Sequence, residues 1–195
     1  MSFEIAGLPL HPLLVHGVVV LLPLAAGAVV LHAAWPAARR RLGVVTPLLA
    51  GICLVLAPIT VQAGEALAAQ VGMTPKIAHH EQLANMLLPW ATALFVVALG
   101  EWVWFRFVAP AMASASAPAP ASARTGPVAA MSGLAGSAGS AAPADSPSAA
   151  DVSRRELLIR AAVLLLAVAV AFGTVVVVFR AGDAGARAVW EGVGG

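Results

Sequence analysis

LLIRAAVLLLAVAVAFGTVVVVF, Leu157–Phe179, carries a single charge at Arg160 and then runs uncharged until Arg180. At about 1.5 Å of rise per helical residue, the uncharged part alone extends roughly 28 Å, close to the ~30 Å hydrocarbon thickness of a bilayer. The stretch therefore predicts a membrane-spanning helix. Three more apolar runs, Leu13–Ala34, Leu42–Val61 and Leu83–Phe105, have comparable lengths. None alternates apolar with polar residues, as the strands of a membrane β-barrel would.

Composition agrees with this reading. The 195 residues are 61% hydrophobic and 10% charged, with a mean hydropathy of +0.92, whereas soluble domains are about a quarter charged. So few charges suffice only where the surrounding solvent is itself hydrocarbon. The predicted fold class is all-α, a four-helix transmembrane bundle. Residues 1–110 form a three-helix transmembrane region and 111–153 a low-complexity cytoplasmic loop. Residues 154–195 supply the fourth helix and a short outer tail. The loop is Ala, Ser, Pro and Gly with little else, too poor in large apolar side chains to offset chain entropy, and is expected to be disordered.

The first run is expected to be retained as a helix beginning at Pro12, because the residues before it hold no Lys or Arg and include Glu4, unlike a cleaved signal. Thr74 followed by Pro75 reads as the N-cap and first turn of a helix that starts ahead of the third run. Pro23, Pro47, Pro58 and Pro89 are expected to kink or open their helices. Small residues at Ala25–Ala28, Ala50 and Gly51 allow close helix contact.

Basic residues set the orientation. Arg39, Arg40, Arg41, Arg106, Arg124, Arg154, Arg155 and Arg160 flank one side of the predicted spans, and only Lys76, Arg180 and Arg187 flank the other. Lys and Arg are held on the cytoplasmic side, so loops one and three are expected inside and both termini outside. Trp35, Trp102 and Trp104 then lie at the inner boundary and Trp90 toward the outer one.

Net charge is +2, and the basic residues lie in loops with no aromatic-interleaved groove, so the expected contact is the lipid bilayer and no nucleic acid. Cys53, the single cysteine, reads as a small buried hydrophobe. No nucleophile elbow, P-loop, HExxH or Rossmann fingerprint is present, and nothing marks an enzyme.

The histidines are more informative. His11 and His16 open the first run, His32 closes it, and His79 and His80 precede the third. Four of the five thus share the expected outer side. Positions five apart on a helix differ by roughly 140° and adjacent ones by roughly 100°, so neither His11 with His16 nor His79 with His80 makes a chelating pair alone. A shared site must draw on separate helices, and His16 with His80 is the natural pairing. Glu101 reads as a snorkelling or ion-paired boundary residue. His32 and His79 read as interfacial, while Thr60, Gln62 and Glu65 could line or support a histidine site.

Three stretches, LPLHPLLVHGVVVLLPL at Leu8–Leu24, PITVQAGE at Pro58–Glu65 and HEQLANMLLPWA at His80–Ala91, resemble the bacterial membrane family called domain of unknown function 2231. The ending FRAGDAGARAVWEG, Phe179–Gly192, is similar to that family's close. By this resemblance the family histidines map to His11, His16 and His80, and the protein belongs in a bacterial inner membrane. Where relatives show a histidine in a GHxG context, this chain has Asp183. A carboxylate can replace imidazole at a metal but is a poor axial partner for haem iron.

Two main readings remain open. One is a b-type haem held by His16, His80 and His11, or a transition metal held by His11, His16, His80 and Asp183. Either would serve electron transfer or sensing, with a redox or membrane-protein partner. The other is a non-enzymatic scaffold whose histidines tie helices together. A solute or proton permease is disfavoured by the lack of charge at mid-span.

Overall fold

The computed structural model describes residues 4–5, 8–115 and 149–190. A two-residue antiparallel pair, β1 (Glu4–Ile5) with β2 (Leu8–Pro9), leads into the first helix. Nearly all the remaining described chain is helical.

Helix α1 (Leu10–Ala34) begins two residues before Pro12, so His11 already lies in its first turn. Pro12 is tolerated there because first-turn N–H groups have no partner inside the helix. Pro36 then opens the short helix α2 (Pro36–Leu42), and Gly43 closes it at φ +41°, a left-handed geometry suited to glycine. Helix α3 (Val45–Val71) continues ten residues past the expected Val61 and stops at Gly72, φ +91°.

The expected cap at Thr74 is formed. Its Oγ1 accepts the Ile77 N–H at 3.2 Å and starts α4 (Pro75–Asn85). A turn at Met86 separates α4 from α5 (Leu87–Val103). Pro89 explains the break, since it has no N–H to give the Asn85 carbonyl. Pro47 and Pro89 both fall in first turns, whereas Pro23 and Pro58 lie inside α1 and α3. A π turn (Trp104–Val108) and α6 (Ala109–Ala115) extend α5. Helix α7 (Ala149–Trp190) has 42 residues, about 63 Å and roughly twice a bilayer core. The segment 111–153 is thus helical at both edges, and its residues 116–148 lie outside the described ones.

Among the described residues, four stretches are long and apolar enough to cross a membrane: His11–Ala34, Val45–Val71, Pro75–Met112 and Ser153–Trp190. They close a ring in which α1 packs on α3 and α7, and α5 packs on the same two from the other side. Its core is built of small residues at helical spacing: Ala25, Ala26 and Val29 face Ala50, Cys53 and Ala57, Ala91, Leu94 and Ala98, and Ala167 and Ala171. Short side chains let backbones approach, which is how spans associate when hydrocarbon surrounds them. Many of the large residues point outward instead: Leu165 is 70% exposed, Phe172 71% and Phe179 76%. An exterior of this kind is compatible with lipid and not with water. Trp90, expected at the outer boundary, turns partly inward against Gly173, where any Cβ would fall within its ring.

Candidate functional site

Two polar clusters interrupt this apolar bundle, one at each end. Along α1, His11 and His32 are 21 positions apart, roughly 31 Å on a helix. The clusters they anchor therefore sit at opposite ends of the bundle.

At the end where α1 begins, His11 and His80 come together with ring centroids 6.3 Å apart and planes at 78°. Each is fixed by a neighbouring span. The His11 Nδ1–H donates to the Thr60 carbonyl of α3 at 3.1 Å, and the His80 Nδ1–H donates to the Ala181 carbonyl of α7 at 2.9 Å. Because a carbonyl can only accept, a proton must be on Nδ1 of each ring, and Nε2 is the ring nitrogen left for another partner.

The same local device serves both rings. Four residues beyond each acceptor carbonyl, on the same helix face, stands a glycine. A Cβ on Gly64 would lie 2.8 Å from His11 Cε1, and one on Gly185 would lie 3.0 Å from His80 Cε1. Bare glycine thus lets each imidazole reach a carbonyl that is already bonded within its own helix.

Beside the two rings lies a small hollow, otherwise almost wholly apolar, with Val18, Leu87 and Val178 in its wall. The other expected ligands lie elsewhere. His16 is exposed and its Nδ1–H turns back to the Pro12 carbonyl at 2.6 Å, so the histidines that meet are His11 and His80. His79 is exposed. Asp183 accepts from Arg187 Nε at 2.9 Å on the outside of α7. Gln62 and Glu65 are exposed, and Thr60 contributes its backbone. Among the described residues no group of three or more His, Cys, Asp or Glu side chains could hold a metal ion.

The opposite end holds a pair that sequence reasoning assigned to the boundary. His32 Nδ1 and Glu101 Oε2 are 3.1 Å apart, with both side chains 2% exposed. Arg39 covers them: Nε donates to the His32 carbonyl at 2.9 Å and Nη2 to the Ala33 carbonyl at 2.8 Å. Its guanidinium carbon lies 3.3 Å from the centre of the Phe105 ring, a close cation–π contact. Burial, and then the charge of Arg160, pull the Arg39 guanidinium below its ordinary value, while Glu101 pulls it up. Glycines at 64 and 185 within alanine-rich helix, and a histidine and a glutamate each one turn from a span's end, were the available signals for the two clusters.

No family model matches the chain, nor does any curated protein or solved structure.

Proposed function

We propose that the protein is a multi-pass membrane protein whose His11–His80 pair would hold a b-type haem, for electron transfer or sensing at that membrane face. The observation that carries this reading is the pair itself: two imidazoles from separate spans, each tautomer fixed by a backbone carbonyl, 6.3 Å between centroids. A hydrogen bond on the second ring nitrogen is the usual way proteins orient a metal-bound histidine.

The donor set favours haem over a bare ion. Zinc or copper sites draw three or four ligands from the protein, and no such group exists among the described residues. A porphyrin brings four nitrogens of its own and asks the chain for two imidazoles and an apolar wall. His11, His80, Val18, Leu87 and Val178 would hold it. The group would supply one-electron redox chemistry, with a redox protein or another membrane protein as partner.

The arginine distribution supports placing this end on the outer face of a bacterial inner membrane, with both termini outside. The resemblance to the domain of unknown function 2231 family points to the same membrane, with His11 and His80 among the residues it marks.

The full chain, purified in detergent from cells supplied with haem, tests the reading. A Soret band is expected, lost in His11→Ala and in His80→Ala and kept in His16→Ala. A colourless preparation, or colour that survives both substitutions, overturns it. A second reading has its own support, since both Nδ1 bonds cross between helices and could simply tie them together. It predicts a colourless protein that each of the two substitutions destabilises.

A further inference from the structure

The His32–Glu101 pair has a feature that the histidine cleft lacks. Glu101 Oε1 is buried and has no hydrogen-bond partner among the described residues. A carboxylate oxygen sealed from water without a donor is costly, and an ionised group there costs far more than a neutral one. Something small must reach it.

The surroundings narrow the choice. On α1, His32 is the only titratable group against Glu101, and its ring nitrogen is bonded to the other oxygen, Oε2. Helix α2 brings Arg39, whose charge acts on Glu101 but whose Nε and Nη2 are engaged by carbonyls. At the start of α3, Thr46 is fully buried, and its hydroxyl oxygen likewise has no partner among the described residues. On α7, Arg160 is exposed and paired with Glu156 at 2.7 Å, and Arg106 of the π turn is exposed. That π turn begins three residues after Glu101 and carries Phe105, which lies 5.9 Å from the His32 ring and beneath Arg39. Irregular turns of this kind recur at functional positions in helices.

We propose that His32 and Glu101 form a proton-binding site that exchanges one proton with the water at the arginine-rich end, past Arg39 and Phe105. On loading, a hydronium ion gives its proton to Glu101 Oε1 and leaves as water. The O–H bond forms there while the His32–Oε2 hydrogen bond persists, and the pair becomes neutral. Unloading is the reverse. The site stands independently of whatever the His11–His80 pair holds.

Dicyclohexylcarbodiimide, which attacks protonated carboxyl groups in apolar surroundings, is the probe. The full chain in lipid vesicles is treated between about pH 6 and pH 9, and the modified residue is located by mass spectrometry. Glu101 is expected to be the labelled carboxyl, with a labelling rate that falls at least ~10-fold across the range, the change that one pH unit beyond a titration midpoint produces. An infrared band of a protonated carboxyl that disappears with the same midpoint is expected in the unaltered protein and absent from Glu101→Gln. Because the first two readings need no substitution, misfolding of the variant leaves the test intact. Labelling that is absent at every pH, independent of pH, or suppressed by sodium at constant pH would overturn the proposal, the last by showing a cation site instead.

Discussion

The two ends of the bundle use histidine in opposite ways. At one end, His11 and His80 spend their protonated nitrogens on backbone carbonyls and leave the other nitrogens beside an apolar cleft. At the other, His32 is bonded to a carboxylate, sealed in the core and roofed by Arg39 on Phe105. A ring whose Nδ1–H is given to a carbonyl keeps Nε2 as the atom left for a ligand. A ring bonded to a carboxylate shares a charge and is suited to hold or pass a proton. Partner chemistry, more than residue type, separates the two sites.

The largest effect that would sharpen this contrast is expected from Glu101→Ala. Removing one member of a buried pair strands the other, at a typical cost of about 3–5 kcal/mol. Thermal unfolding in detergent should show a large loss, whereas the double change His32→Leu with Glu101→Leu, which removes both polar groups, should recover most of it. A single change as mild as a surface substitution would mean that the pair is solvated and that the two ends are alike.

Next come Gly64→Ala and Gly185→Ala, which set a methyl against Cε1 of His11 or His80. Overpacking of this sort costs about 1–3 kcal/mol, and each change should also displace the ring and weaken whatever it ligates. Gly27→Ala is the control, since nothing lies within 4 Å of a Cβ there. Equal effects at all three positions would break the idea that glycine seats the imidazoles.

Smaller still, Thr60→Ala should cost about 1 kcal/mol or less, because only the hydroxyl bond to the Leu56 carbonyl is lost and His11 keeps its backbone acceptor. Nitrogen chemical shifts of the His11 ring should be unchanged. Smallest is Asp183→Ala. Its exposed partner Arg187 contributes well under about 1 kcal/mol in water, and any absorbance of the His11–His80 site should be untouched.

Much of the architecture was legible in the chain. Leu157–Phe179 and the three other runs located the spans, and Thr74–Pro75 announced the start of α4, because hydropathy and capping act over short distances in sequence. The candidate site was legible only in part. His11 and His80 were named, but His16 was given the pairing that His11 makes. The reason is physical: the partner of His11 is the carbonyl of Thr60, and every residue has a carbonyl, so residue type could not reveal it. Glu101 and His32 were read as boundary residues because a hydropathy profile averages around a helix and cannot say which face meets a neighbour.

The sequence by itself determined that the described chain holds four helices long and apolar enough to cross a membrane, since transfer of apolar side chains out of water depends on composition and length along a segment. Only the tertiary structure decided which histidines meet, which glycines seat them and which carboxylate is shut away from water. Those depend on how α1, α3, α5 and α7 rotate against one another, and rotation is set by close packing of small residues across interfaces between segments far apart in the chain.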